Sequence, residues 1–428
     1  MKKVRGWPFL LLAAALLAAS TAGAQEVVLR HLGYVWHGDP WHQYIEARIE
    51  EFQALHPNVK IERLLAGQGD SIEDKFTVMV AGGIPPDVVE MTLSQGGGMA
   101  PKGVFKDLRP FFERDPDVSL ADFAPTAVNA LTWSDGTLWG FPMDVFPVAS
   151  YYNIDLFNEA GLRTPAEMEP REWNWDYALE AAQKLTRDRN GDGVTDQWGI
   201  DGAWALVNYA IPMKQAGGGF YDRDVDPQQS RLLDERTLEA FEWVATIYRQ
   251  EVNAKDYEIG FDQGRTGFNL VNGPTGIKTL SQVATFAWNV GPPLHGPDNN
   301  GGYVAVNSLQ ISSYTEHADL AWEWVKFLAA DAGHLEDFVR RTTRIPSYLP
   351  VLPSYPELIG DAPSGVTHFV DVIVHPKSFH PAVGPTTRQT HSLILSGFLD
   401  RVATGQAAVR QTLEVLHSQI QALLSSSN

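Results

Sequence analysis

Between Val27 and Met91 the hydrophobic period alternates between that of a strand and that of a helix, and few architectures accept such a pattern. Val27 to Leu32 reads as a first strand, running into Trp36, Gly38, Asp39 and Pro40. Asp39 is placed to cap a helix with Pro40 at its first position. Trp41, Ile45, Ile49 and Phe52 then recur at helical spacing. Val59 to Leu64 is a second strand. Asp70 is placed to cap a second helix with the apolar face Ile72, Phe76, Met79 and Val80, stopped at Gly82-Gly83. A short strand, Asp87 to Met91, follows. Strand–helix–strand–helix–strand predicts an α/β lobe on a largely parallel sheet. Ligands of such sheets sit beyond the carboxyl ends of the strands. Here that means Trp36 and Asp39 after the first strand, and Thr92, Ser94 and Gln95 after the third.

The N-terminus has the pattern of an export signal. Lys2, Lys3 and Arg5 form a basic start, Phe9 to Ala19 an apolar run, and Ala22-Gly23-Ala24 a small-residue cleavage site before Gln25. The run is shorter than the 18 or so residues of a spanning helix. A soluble periplasmic or secreted protein is expected. Without cysteine, no lipid attaches at the cleavage site, no disulfide forms and no thiolate metal site exists. Removing 1–24 leaves 404 of 428 residues. That is too long for one comfortable core, so two domains are expected. The net charge of −19 grows more negative once Lys2, Lys3 and Arg5 are gone. Such a surface repels nucleic acid, and no basic run offsets it.

The stretch 138–161, LWGFPMDVFPVASYYNIDLFNEAG, reads as a crossing, then an apolar strand from Val145 to Tyr152, then a helix ending at Gly161. We take it as the place where the chain leaves one lobe and starts another, with the functional site between them. Gly301-Gly302 leading into Val304 to Val306 marks a second crossing, and Arg340 to Pro346 a third.

Thirteen tryptophans, about double an ordinary share, need a cause in core packing or stacking. Trp41, Trp243, Trp322 and Trp324 lie on helices and are expected to pack. Trp36, Trp204 and Trp288 lie in or beside loops. A sugar offers an apolar C–H face and a polar rim, which suits an indole platform ringed by acids and amides. Asp39, Asp144, Asn272 and Gln95 are candidates for that ring, and Arg344 for a cleft acid or ligand oxygen. In DRNGDGVTD, Asp188, Asn190, Asp192, the Val194 carbonyl and Asp196 take positions 1, 3, 5, 7 and 9 of a calcium loop, with Gly193 at position 6. Position 12, where an acid belongs, is Gly199. Structural Ca²⁺ and a solvated Asx-rich turn both remain open. The histidines show no metal-binding spacing, the glycine runs lack a phosphate-loop context, and there is no G-x-S-x-G elbow. No pair of carboxylates stands out for glycoside hydrolysis. No catalytic residue is assigned and no cofactor is required.

Four motifs in this order carry a resemblance: Gly82-Gly-Ile-Pro-Pro-Asp87-Val-Val; Tyr151-Tyr152-Asn153-x-Asp155-x-Phe157-x-x-Ala160-Gly161; Leu185-Thr186 with DRNGDGVTD-Gln-Trp198-Gly199; and Gly301-Gly302 with Val304 to Asn307. Along essentially the whole mature chain the sequence resembles the sugar-binding class of extracellular solute-binding proteins of ABC importers, the group that includes maltose-binding protein. The resemblance implies a two-lobed type II fold, with mixed sheets flanked by helices and a hinged cleft. It implies a first lobe of 26–138 plus 302–343 and a second of 139–300 plus 346–428. The hinges fall near 136–142, 296–303 and 340–348. It implies a monomer that takes a sugar, oligosaccharide or polyol to a transmembrane permease, without chemistry. Ligand-facing positions by pattern are Trp36, Asp39, Ser94, Gln95, Asp144, Trp204, Asn272, Trp288 and Arg344. Where relatives often carry a glycine followed by a tryptophan, this chain has Asn272-Gly273-Pro274-Thr275-Gly276, so Trp288 or Phe286 is expected to substitute as platform. A glycerol-phosphate-type anion binder of the same fold and a secreted carbohydrate-active enzyme are the alternatives.

Overall fold

A computed structural model describes residues 26–67, 69, 71–201, 210–254, 260–398, 401–402 and 405–426. The export signal and Trp204 lie outside the described residues, as does Asp70. Two sheets organise the chain. The first has six strands in the order β10-β4-β9-β3-β1-β2, with β1 Val27–Tyr34, β2 Val59–Ala66, β3 Val88–Thr92, β4 Phe141–Pro147, β9 Val304–Ile311 and β10 Ile345–Pro346. The second has four in the order β6-β7-β5-β8, with β5 Ala149–Asn153, β6 Trp198–Asp201, β7 Thr266–Asn272 and β8 Trp288–Gly291. The expected alternation holds at the start. β1 pairs in parallel with both β2 and β3, while β9 runs antiparallel to β3 and β4.

Helix α1, Asp39–Leu55, buries Trp41, Tyr44, Ile45, Ile49 and Phe52 against the first sheet's core. Each such side chain contributes about 1.5–3 kcal/mol of apolar transfer, set against the entropy of ordering it. Its N-cap is Gly38 at φ 82°, and Asp39 is the first helical residue instead of the cap. Helix α2, Ile72–Ala81, is capped by Ser71, whose hydroxyl accepts from the Asp74 amide. Helix α3, Leu93–Met99, holds Gly96, Gly97 and Gly98, each costing about 1 kcal/mol relative to alanine in a helix. Space explains two of them. A Cβ on Gly96 would collide with the Trp139 ring, and one on Gly97 with Val383.

The stretch 138–161 holds two strands where the sequence suggested one. β4 belongs to the first sheet and β5 to the second, separated by Val148 alone. The first lobe therefore continues to Pro147, beyond the expected boundary at 138. The third boundary also moves. Ser347 donates from its amide to the Met143 carbonyl, and the Tyr355 hydroxyl donates to the Thr343 carbonyl. Residues 346–358 thus pack on the first lobe, and the chain rejoins the second sheet where the Gly365 amide donates to Asn289 Oδ1. The apolar clusters do not divide neatly by lobe. One runs from the first lobe through Tyr151 and Phe369 onto one face of the second sheet. The other fills the opposite face, beneath the helices Trp175–Leu185, Glu235–Arg249 and Val409–Ser426. Among the described residues no helix is long and apolar enough to cross a membrane.

Candidate functional site

Register places the site. β4 ends at Pro147 opposite Val304, where β9 begins, so the chain crosses between lobes at that edge. β3, antiparallel to β9, points its carboxyl end the same way, and β1 and β2 follow it. The loops after all three therefore face the second lobe. In the second sheet Ala149 lies opposite Asn272, so the carboxyl end of β7 faces the first lobe. The two walls meet across this gap.

On the first wall the strand pairs Thr92–Asn307 and Asn307–Asp144 form a transverse row, with Pro346 opposite Asp144. Asp144 is fully buried; its Oδ2 accepts from Arg344 Nη1 and Asn307 Nδ2, both at 3.2 Å. The acid that Arg344 reaches is thus Asp144. The Arg344 guanidinium carbon also lies 5.2 Å from the centre of the Trp41 ring, at cation–π range. Trp41 stacks on His37 at 4.3 Å and donates its indole N–H to Glu90 Oε2 at 2.9 Å. Glu90 is 1% exposed in the middle of β3. Its neighbours are His31 Nε2 at 3.1 Å, Arg63 Nη2 at 3.5 Å and His37 Nε2 at 3.7 Å. Trp324 donates to His31 Nδ1, which puts the His31 proton on Nε2, facing the carboxylate. Burial pushes the Glu90 carboxyl up, but its neighbours His31, Arg63 and His37 outweigh it and hold the group down to about 2. Burial also lowers the His37 imidazole, outweighing the pull of Glu90. Above this buried network Trp36 stands 59% exposed, with Asp39 and Ser94 also exposed. The Gln95 side-chain oxygen is already spent, accepting from the Thr92 amide and hydroxyl in a capping box.

The second wall holds a recess of about 430 Å³, within the range of small-ligand pockets. Tyr151, Asp201, Phe261, Asp262, Asn269 and Asn272 line it. Asp201 Oδ2 accepts from the Phe261 amide and from Asn269 Nδ2, which fixes its carboxylate at the end of β6. The Tyr151 hydroxyl donates to the Gly273 carbonyl. Asn272 sits on this wall. Trp288 does not. It pairs with Asn153 at the far end of β5, about 13 Å along the strand from Ala149. Its ring lies behind Tyr151, 5.2 Å away. Tyr151 and Phe261, both nearly buried, are the aromatic residues of the recess. Sequence reasoning missed Asp201 and Asp262. Asp201 ends β6, where the carboxyl-end rule applies.

A second groove, of about 400 Å³, runs along the outer edge of β8, beside Met168, Asn289, His368 and His375. All of its lining belongs to the second lobe.

The acidic loop turns inward. Asp188 accepts from the Gly191 and Gly193 amides at 2.7 Å each, Asn190 from the Asp192 amide and Asp192 from the Val194 amide. The Gly193 amide leads in lowering the Asp188 carboxyl. Asp196 accepts from the Arg189 amide. These oxygens serve the loop's own backbone, and among the described residues no three acids or histidines group as metal ligands. Position 12 has no room for an acid, because a Cβ on Gly199 would strike the Ala182 backbone. As folded, the loop's oxygens are engaged by its own amides, and the acid of position 12 is absent.

Comparison with known proteins agrees with this geometry. Residues 37–334 match the family model described as bacterial extracellular solute-binding protein. The galactooligosaccharide-binding protein of Bacillus subtilis is 23% identical over 310 residues, covering 69% of this chain and 68% of its own. The cyclic alpha-maltosyl-1,6-maltose binding protein of Arthrobacter globiformis superposes with a TM-score of 0.79 at 18% identity, over 94% of this chain and all of that one. The sugar-binding protein MalE of Xanthomonas citri gives 0.78 at 16% identity, over 94% and 98%. The fold is that of the type II binding proteins, and the chain belongs to the bacterial extracellular solute-binding protein family.

Proposed function

We propose that the protein captures a neutral carbohydrate or polyol between its lobes and hands it to the permease of an ABC importer. The balance of charge on the two walls carries this reading. Among the described residues, the second wall offers carboxylates and amides, with no lysine or arginine in its lining. On the first wall the Arg344 charge is already met by Asp144. An anionic solute would face acids on one side and a neutralised guanidinium on the other, whereas hydroxyls can donate to Asp201, Asp262 and Asn272. The sugar names of the relatives point the same way. The exposed Trp36 indole suits the apolar face of a sugar ring, and Phe261 and Tyr151 give the recess opposite an apolar lining. No chemistry is required of the site, because a solute that bridges both walls shifts an open–closed equilibrium.

Calorimetry against monosaccharides, polyols, oligosaccharides and glycerol phosphodiesters tests the proposal. Saturable binding to a neutral member is expected. Binding confined to the phosphodiesters, or turnover of a glycan, would overturn it.

A further inference from the structure

Three contacts join segments that are remote in sequence and sit in opposite lobes. Val383 lies in a loop held to the second lobe: its amide donates to the Asp224 carbonyl at 2.7 Å, and its carbonyl accepts from the Asp226 amide at 2.8 Å. Yet Val383 is fully buried, in the apolar cluster that runs from the first lobe onto the second sheet. It fills the space that a side chain on Gly97 would need. To one side Arg388 Nη2 meets Glu73 Oε1 at 3.0 Å. To another, Ser134 donates to Asp226 Oδ2 at 2.8 Å, and Arg223 holds that same oxygen at 3.0 Å. Asp226 adopts φ 53°, a left-handed conformation uncommon outside glycine. Glu73 lies in the first turn of α2 and Gly97 in the second turn of α3, two helices that follow β2 and β3 from the carboxyl edge of the first sheet. Each contact spans the two lobes, and all three use protein atoms alone.

We propose that Val383 seated on Gly97 is a latch between the lobes, flanked by Arg388–Glu73 and Ser134–Asp226, and that it sets affinity without touching solute. Opening the lobes exposes Val383 and empties its seat. The latch therefore raises the population of the closed, binding-competent form. A solute's apparent dissociation constant is its intrinsic value divided by that population. Weakening the latch must weaken every solute by one common factor, whereas a ligand contact discriminates among solutes. The inference rests on the solute lying between the lobes, as proposed above.

Gly97→Ala and Val383→Ala test it, with Gly98→Ala as control, since a Cβ on Gly98 meets nothing within 4 Å. Alanine is the better helix former, so Gly97→Ala is expected to keep the thermal midpoint of the wild type. The chain has no cysteine, so Val78→Cys and Val415→Cys, both exposed and one on each lobe, take spin labels cleanly. Without any solute, the interlobe distance is expected to lengthen in Gly97→Ala and Val383→Ala and to stay unchanged in Gly98→Ala. An unchanged distance in the first two, or an equal lengthening in the control, overturns the latch. With each sugar of the panel that the wild type binds, Gly97→Ala is expected to weaken binding by one factor, roughly tenfold or more. Losses that differ from sugar to sugar would mark a ligand contact and overturn the proposal. The solute-free measurement decides the latch even if no sugar binds, so the two readings fail separately.

Discussion

Glu90 is the residue on which the first wall turns. It is a charged side chain in a strand otherwise buried on both faces, and its carboxylate anchors the Trp41 indole that Arg344 rests on. Its carboxyl is held below the range of an unfolded glutamate. The unfolded chain therefore binds more protons in acid, and the stability from Glu90 is complete above the unfolded value near 4.3. It is lost as pH falls from there towards about 2. Glu90→Gln keeps an acceptor for Trp41 but removes the charge opposite Arg63. Denaturant melts are expected to show it about 1–3 kcal/mol less stable at neutral pH, with the gap closing as pH falls below about 4.5. A gap that stays constant down to pH 2 would mean that the Glu90 charge contributes nothing. Asp144, Arg344 and Asn272 were legible in the sequence as polar residues at crossings or strand ends. Trp288 was misjudged because an indole beside a loop looks the same whether it faces solute or lies behind a tyrosine. Only the β5–β8 register separates the two cases.

At the scale of elements, helices with a clean 3.6-residue stripe, such as α1 and α2, were readable, because one face is enough to define them. The run from Phe141 to Asn153 was not. Every residue but Phe146 is buried along both strands, so no alternation marks the change of sheet, and Pro147 is the single local sign of it. The third crossing escaped for a different reason. Residues 346–358 are fixed to the first lobe by partners such as Met143 and Thr343, and local sequence does not reveal them. The acidic loop 188–196 shows the limit of spacing. It has calcium-loop residues at the right intervals, but its oxygens are folded onto its own amides. Melting curves in Ca²⁺ and in EDTA are expected to coincide. A midpoint several degrees higher in Ca²⁺ would show that the loop opens to take the ion.

The whole molecule is two α/β units whose strand ends converge on one gap, joined where β4 passes into β5, where β8 leads to β9, and where the chain returns after Leu358. That arrangement lets a solute be held by groups from both sides at once, and lets the latch at Val383 tune how readily the sides close. The central claim is the bridging of the two walls, and a crystal structure of the protein with the sugar that calorimetry selects tests it most directly. The solute is expected to touch the first wall at Trp36, Asp39 or Ser94 and the second at Asp201, Asn269 or Asn272, within one site. A solute seated on one lobe alone, as in the groove along β8 beside Asn289 and His368, would contradict it.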